Sequence, residues 1–213
     1  MTGARAAAKW RSESDVWLDH ASLQTTDLDW LTPAKSLTLW SVKVPDGFLA
    51  SLPNLTYLDV RGGSGTSLAA ISGCRRLRYL QVNQVRGLTD LAVIPTLTAL
   101  ELLSLYGLPK VTALPSFAPL GQLLRAEVGS MKGLAGLTGL HDAPALAELL
   151  LIRAVAVAQD DAERLSRHPT LRLFNWYGED VPARVWSPFC DVVNKPKAHA
   201  AHAVEWFEER GGL

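Results

Sequence analysis

The sequence predicts an α/β solenoid. We expect a curved right-handed coil, with short parallel strands on the concave face and helical or irregular segments returning over the convex face. Two observations lead to this prediction. A six-residue pattern with apolar, mostly leucine, residues at its first, fourth and sixth positions, LxxLxL, recurs seven times after a degenerate first copy. Successive copies are spaced evenly enough along the chain for each to supply one strand and one return segment.

Each copy is located by the residue at its fourth position. The clearest copies are Leu55-Thr-Tyr-Leu58-Asp-Val60 and Leu77-Arg-Tyr-Leu80-Gln-Val82. The fourth positions are Val16, Leu37, Leu58, Leu80, Leu100, Ala126, Leu149 and Phe174. Subtraction of successive residue numbers gives intervals of 21, 21, 22, 20, 26, 23 and 25. Because one unit cannot bury its apolar face by itself, neighbouring units must stack and share an elongated core.

The unit from Leu77 to Thr96 carries the segments Gly87-Leu88-Thr89-Asp90-Leu91 and Ile94-Pro95, and it resembles the short leucine-rich repeats of bacterial internalins. This resemblance implies a leucine-rich-repeat recognition scaffold of bacterial type. The ninth position departs from the family, which often places asparagine or cysteine there. This chain has Ala21, Val42, Gly63, Val85, Leu105, Met131, Ala154 and Glu179. The turns therefore need hydrogen-bond partners other than an asparagine ladder.

Three segments divide the chain: an N-terminal segment over 1–12, about eight leucine-rich repeats over 13–186, and a C-terminal cap and tail over 187–213. One return, from Gln159 to His168, has the pattern of an α-helix with Leu165 facing the core. The last stretch, Ala198 to Arg210, predicts a short helix with apolar residues at 204, 206 and 207. This helix either packs on the cap, covers nearby aliphatic residues or stays mobile.

Composition limits the function classes. The chain has 21 basic and 21 acidic residues, so it lacks the basic field of a nucleic-acid binder. No apolar run approaches the ~20 residues of a membrane helix, and the N-terminus lacks a signal-peptide core. The cysteines, Cys74 and Cys190, form no CxxC pair. We therefore expect a cytoplasmic protein with no nucleic-acid or membrane partner.

Alternation along each strand directs the third, fifth and seventh positions of a unit toward the concave solvent face. The N-terminal half of this face mixes aromatic and polar residues, as binding hot spots do. These are Trp17, Asp19, Trp40, Tyr57, Asp59, Arg61, Tyr79, Gln81 and Asn83. The middle carries the charged residues Glu101, Arg125 and Glu127. The C-terminal half carries a predominantly aliphatic group: Leu103, Leu150, Ile152, Leu173 and Tyr177.

The sequence contains no complete motif for catalysis, phosphate binding or metal binding. The glycine-rich stretch Arg61–Ser67 lacks the lysine of a phosphate-binding loop, so we interpret it as a tight turn. His199 and His202 have too few neighbouring ligands for zinc, and Cys190 beside Phe189 is expected to be an inert thiol. Carboxylates on an open face stay solvated, whereas tuned acid–base pairs need a desolvated cleft. We therefore expect no catalytic residues, no metal and no cofactor.

These patterns favour a non-catalytic protein–protein interaction module that binds a protein partner through the concave face. One alternative is a small-ligand or glycan-binding protein that uses the concave aromatic residues. Another is a self-associating structural protein, or a weak homo-oligomer, held together by the aliphatic group.

Overall fold

The computed structural model describes residues 3–198 and 203–211, and it has the predicted α/β leucine-rich-repeat architecture. Within this part of the chain, nine strands form one sheet in sequence order. The strands are β1 (Lys9–Trp10), β2 (Asp15–Asp19), β3 (Ser36–Trp40), β4 (Tyr57–Arg61), β5 (Tyr79–Asn83), β6 (Leu102–Tyr106), β7 (Arg125–Met131), β8 (Glu148–Val155) and β9 (Leu173–Tyr177). β1 lies antiparallel to β2, and the later pairs are parallel. Units one to eight are numbered by their strands, β2 to β9.

Short helices occupy several of the return segments. The α-helices are α1 (Ala4–Ala7), α2 (Leu28–Leu31), α3 (Thr138–His141), α4 (Asp161–Ser166), α5 (Ala183–Val193) and α6 (Ala203–Glu208). The 3-10 helices span Thr25–Asp27, Leu49–Ser51, Ala69–Ile71 and Ile94–Thr96. α4 confirms the helix predicted between Gln159 and His168. In the described residues, no helix has both the length and the apolarity needed to cross a membrane.

The core runs the length of the solenoid and is built from the inward positions of the repeat. The fourth-position residues Leu58, Leu80 and Leu149 are fully buried. Each such leucine stabilises the fold by roughly 1.5–3 kcal/mol through removal of its side chain from water. α5 closes the C-terminal end, where the Phe189 ring packs edge-on against Trp176 at 5.3 Å. The stacked units therefore share one continuous core, as the repeat predicts.

The register of unit five differs from the prediction. Leu80 pairs with Leu103 and not with Leu100, so the fourth position of this unit is Leu103. The prediction that Leu103 lies on the concave face is wrong, because its side chain points into the core and is buried. Leu102, Ser104 and Tyr106 take the concave positions instead. With Leu103 in place of Leu100, the intervals between successive fourth positions become more even, and those on its two sides are equal.

The turns satisfy their hydrogen bonds through the backbone in place of an asparagine ladder. The residue at the eighth position adopts a left-handed conformation in seven of the eight units, for example at Gln84 (φ 56°), which directly follows β5. This conformation directs its N–H along the solenoid axis. The N–H of Gln84 donates to the carbonyl oxygen of Tyr106 at 2.8 Å, and the N–H of Ser41 donates to that of Arg61 at 2.8 Å. In the first five units, the turn is thus bonded to the next strand without a side-chain donor.

α4 is held by a buried carboxylate. The Oδ2 atom of Asp161 accepts from the backbone N–H groups of Ala158 (2.6 Å) and Leu137 (2.9 Å). Its Oδ1 atom lies 2.8 Å from Nε2 of His141. Burial acts to raise the pKa of Asp161, but these partners more than offset it, so the pKa lies below its ordinary value. Asp161 therefore links unit seven to the preceding unit, and Leu165 is buried as predicted.

Candidate protein-binding surface

The two edges of the concave face differ in their exposure to solvent. One edge is the row of third-position residues, where the strands begin. It contains Asp15, Ser36, Tyr57, Tyr79, Leu102, Arg125, Glu148 and Leu173. The other edge is the row of seventh-position residues, where the strands end. It contains Asp19, Trp40, Arg61, Asn83, Tyr106, Gly129, Ile152 and Tyr177.

α6 lies along the third-position row. Its Phe207 ring contacts Tyr79 at 5.4 Å and Tyr57 at 6.3 Å between centroids, and these two tyrosines stack on each other at 4.0 Å. Tyr57 and Tyr79 are therefore buried, and the prediction that they are free for a partner is wrong. Burial raises the pKa of Tyr57 to about 12 and raises that of Tyr79 well above its ordinary value.

Tyr79 also contacts the neighbouring fifth-position row through Gln81. Its hydroxyl donates to Oε1 of Gln81 at 2.7 Å, so the predicted site residue Gln81 is bonded within the protein. The guanidinium of Arg78 lies 5.2 Å from the centroid of the Phe207 ring. Arg78 is paired with Glu101, Nε to Oε1, at 2.7 Å. Glu101 lies one residue before β6 and contributes to this edge as a partner of Arg78, not as a fifth-position residue.

A charged network anchors α6 further along the same row. Arg125 is fully buried, and its guanidinium binds Glu127 at 2.7 Å and Glu148 at 3.0 Å. The indole Nε1–H of Trp206 donates to Glu148 at 3.1 Å. The guanidinium of Arg210 lies 4.0 Å from the centroid of the Trp206 ring. Arg125 and Glu127, predicted as surface residues, are therefore interior groups that hold the helix in place.

The C-terminal aliphatic group is only partly accessible. Leu150 is 3% exposed, so its prediction as a surface residue is wrong: in the fifth-position row it is flanked by Glu127 and Asn175. Leu173, Ile152 and Tyr177 are half-buried. The segment before α6 runs beside β9, where Tyr177 donates its hydroxyl to the carbonyl of Ala198 at 3.3 Å. This arrangement reduces the surface available for self-association.

The seventh-position row stays accessible, and we call it the open strip. It consists of Asp19, Trp40, Arg61, Asn83, Tyr106, Ile152 and Tyr177, together with Trp17 from the fifth-position row, all exposed or half-buried. Tyr106 was missed in the sequence because of the register of unit five. Its ring lies across Gly129, where an added Cβ would come within 2.5 Å of the ring. Glycine at this seventh position therefore allows the tyrosine to lie flat against the sheet.

An aromatic pair dominates the N-terminal end of the open strip. The rings of Trp17 and Trp40 stack with centroids 6.1 Å apart, and Trp40 remains 37% exposed. The guanidinium groups of Arg11 and Arg61 lie 5.5 and 5.6 Å from the Trp17 ring centroid. Such cation–π contacts contribute roughly 0.5–1 kcal/mol each near a surface and hold the indoles in position. Arg11, which comes from the N-terminal segment, had no signal in the repeat pattern.

A buried carboxylate supports this end of the strip. Asp59 pairs with Arg61 at 2.6 Å through Oδ2, while its Oδ1 atom is buried and lacks a hydrogen-bond partner. Burial raises the pKa of Asp59 above its ordinary value, although Arg61 acts to lower it. Asp59 therefore positions Arg61 beside Trp17 and is not itself a surface residue. Trp17, Asp19, Trp40, Arg61 and Asn83 retain the accessibility that the sequence predicts.

The cysteine and the glycine-rich stretch that were considered as catalytic or phosphate-binding motifs are parts of a helix and a turn of the fold. Cys190 is half-buried in α5, and burial raises the pKa of its thiol above the ordinary value. The glycine-rich stretch forms the turn after β4, with left-handed Gly62 and Gly63. His199 and His202 lie outside the described residues. Within those residues, no group of three histidine, cysteine, aspartate or glutamate side chains is arranged for a metal.

Comparisons with known proteins find similarity only among solved structures. No protein-family model and no curated protein matches this chain. Internalin C2 of Listeria monocytogenes str. 4b F2365 is 18% identical, over 76% of this chain and 80% of its own, with a TM-score of 0.47. The internalin inlF of the same strain is 16% identical, over 87% of this chain and 73% of its own, with a TM-score of 0.34.

A third similar structure is the functional domain of InlJ from Listeria monocytogenes, described as including a cysteine ladder. It is 17% identical, with a TM-score of 0.32. The match covers 76% of this chain but 44% of the InlJ domain. The resemblance to internalins that the repeat predicts thus reappears among solved structures, at low identity. The assignment of the fold rests on the strand order and register of this chain itself.

Proposed function

We propose that this protein is a non-catalytic interaction module that binds a protein partner through the open strip. The observation that carries the proposal is the stacked pair Trp17 and Trp40, which stays accessible while α6 covers Tyr57 and Tyr79. Aromatic residues beside arginine are the composition of interface hot spots. The location of this pair on a rigid sheet lowers the entropy lost on binding.

The dimensions of the strip suit a protein partner. Eight strands at ~4.8 Å spacing make a row about 34 Å long. A standard interface buries about 800 Å² on each partner. The apolar residues Trp40 and Ile152, each next to one end of this row, are separated by polar and amphipathic residues that include Arg61, Asn83 and Tyr106. A long, open row of this kind supports contact with a protein surface better than enclosure of a small molecule.

Pairing of the carboxylates supports a non-catalytic role. Asp59 is bonded to Arg61, and Glu101 is bonded to Arg78. Glu127 and Glu148 share Arg125. Each carboxylate predicted for the middle of the face thus has an arginine partner, which disfavours a role as general acid or base. The proposed glycan site loses Tyr57 and Tyr79, whose rings are buried.

A comparison of two tryptophan variants tests this proposal. Trp40→Ala removes half of the exposed stack, whereas Trp10→Ala removes a similarly exposed indole that packs edge-on against Trp30, off the strip. In affinity capture from cells of the source organism, we expect proteins bound by the unaltered chain to be retained by Trp10→Ala and lost by Trp40→Ala. Capture of the same proteins by both folded variants would contradict the proposal. The cytoplasmic location stays a prediction.

A further inference from the structure

A cavity of about 540 Å³ opens beyond the carboxyl ends of β3 and β4, between units two and three. Its floor is made of aliphatic side chains that include Leu39, Val60, Leu68 and Ile71. The turn Gly62–Gly65 forms one wall. The volume lies within the range of about 300–1,000 Å³ that is usual for small-molecule sites.

The ninth position of unit three explains why the cavity exists. The neighbouring units place Val42 and Val85 at this position, but unit three has Gly63. A Cβ added to Gly63 would meet only the Cα atom of Ser41, at 3.8 Å, so the space is open. The missing side chain leaves Val60 half-buried. The seven other sixth-position residues, all within the described chain, are buried: Leu18, Leu39, Val82, Leu105, Val128, Leu151 and Trp176.

Backbone bonding is interrupted at the same place. Units one and two are joined on the return side by Leu23 N–H donating to Lys43 at 2.9 Å, and units three and four by Thr89 N–H donating to Thr66 at 3.0 Å. Between residues 42–46 and 63–68, all of which the structure describes, no corresponding backbone bond forms. The two coils therefore part at the turn, and the core becomes accessible from the flank.

The charged residues of the lining are all basic. Its two charged residues are Lys43 and Arg61, and its described members include neither a carboxylate nor an aromatic ring. Arg61 is already paired with Asp59 at 2.6 Å. Lys43 is exposed and forms no ion pair with another described residue, so its ammonium group is available to a ligand. The hydroxyls of Ser41, Ser64 and Ser67 add hydrogen-bonding groups to the lining.

We propose that this cavity binds a small aliphatic carboxylate of medium chain length, with the tail against Val60 and Ile71 and the carboxylate at Lys43. The aliphatic floor favours an alkyl chain because it has no ring on which a planar ligand would stack. The exposed Lys43 and the absence of acidic residues from the described lining favour an anion over a cation. The floor of this cavity lies behind the sheet, and Arg61 is the one residue that its lining shares with the open strip.

A chain-length series tests the site. Hexanoate, octanoate and decanoate are titrated below their micellar concentrations and followed by calorimetry and by amide chemical shifts. We expect saturable binding with one ligand per chain, and an affinity that rises about fourfold for each added CH₂ until the cavity is filled. Decyltrimethylammonium is expected to bind at least tenfold more weakly than decanoate. No saturable binding at any chain length, or equal affinity for the cation, would overturn the proposal.

Variants locate the ligand. Val60→Phe and Ala70→Phe each fill part of the cavity, the first from the floor and the second from the half-buried wall, so at least one is expected to fold. Each folded variant should lose at least tenfold in decanoate affinity. Lys43→Gln should lose about fivefold at low salt and less at high salt. Lys35→Gln, an exposed lysine outside the lining, is the control and should change nothing. Unchanged affinity in a folded cavity-filling variant would overturn the site.

Discussion

At the beginning of the strands, Tyr57 and Tyr79 stack beneath Phe207, whereas at the ends of the strands Trp17 and Trp40 stack in the open. Both rows belong to one sheet and both carry aromatic and charged residues. They differ in what covers them, because α6 follows the third-position row and leaves the seventh-position row accessible. Side-chain type alone therefore does not separate interior from surface on this solenoid, since a terminal segment decides which row of the sheet stays accessible.

The largest effect is expected from the buried arginine of the covered row. Arg125→Ala leaves Glu127 and Glu148 without their cation and should lower the free energy of unfolding by about 3–5 kcal/mol. Arg11→Ala, the matched change at the open end, removes an exposed pair with Asp15 and a cation–π contact with Trp17, and should cost less than about 2 kcal/mol. Urea unfolding measures both. Equal losses would mean that the two rows do not differ in burial.

A second comparison removes one ring from each row. Phe207→Ala should weaken docking of α6 by about 3 kcal/mol, because the ring is fully buried against Tyr57 and Tyr79. Hydrogen exchange of residues 203–208 should then accelerate by at least tenfold. Trp40→Ala should lower the free energy of unfolding by less than Phe207→Ala does, about 1–2 kcal/mol, since Trp40 is 37% exposed and Phe207 is fully buried. Unaltered exchange in Phe207→Ala would show that the helix is held by other contacts.

Two buried aspartates differ in their hydrogen bonding. Both carboxylate oxygens of Asp161 have hydrogen-bond partners, whereas Oδ1 of Asp59 has none. Because the folded pKa of Asp161 is depressed, it stabilises the fold above its ordinary pKa of 3.8, and this contribution fades as the pH falls through the lower folded value. Asp161→Asn should therefore cost about 1–3 kcal/mol at pH 7 and progressively less in acid. Thermal unfolding from pH 7 to pH 2.5 tests this sign, and a cost independent of pH would contradict it.

Asp59 should show the opposite behaviour, with a smaller effect. Its folded pKa is raised, so its protonated form favours folding, and that contribution is lost as the pH rises through the folded value. Asp59→Asn should therefore stabilise the protein at pH 7, by up to about 1 kcal/mol, and the gain should vanish below pH 4. The same unfolding series measures it. A loss of stability at pH 7 would show that the pair with Arg61 outweighs the unbonded Oδ1 atom.

Sequence periodicity is sufficient to locate most of the fold. The repeat places strands correctly in seven units, including unit one, where only the fourth and sixth positions, Val16 and Leu18, fit LxxLxL. Unit five fails because Leu97–Leu102 and Leu100–Leu105 both fit that pattern, and local matching cannot choose between them. Leu103 is equally far in sequence from Leu80 and from Ala126, so a requirement for evenly spaced repeats predicts the observed register of unit five.

The position of α6 on the concave face depends on long-range contacts that the repeat pattern does not predict. Trp206 binds Glu148 across 58 residues of sequence, and Phe207 reaches Tyr79 across a still longer separation. The apolar pattern of the last stretch predicts a helix but not the surface that receives it. Arg11 illustrates the same limit, since its contact with Trp17 depends on the antiparallel pairing of β1. The accessible part of the predicted site was therefore fixed by both termini.

The four tyrosines of this chain divide evenly between the two rows, which makes their reactivity a direct test of the central claim. Tetranitromethane nitration of the full-length protein near pH 8, mapped by mass spectrometry, measures the accessibility of each ring. We predict rapid nitration of Tyr106 and Tyr177 and slow nitration of Tyr57 and Tyr79, with the slow pair becoming reactive in Phe207→Ala. Rapid nitration of Tyr57 and Tyr79 in the unaltered protein would contradict the assignment of α6 as the cover of the third-position row.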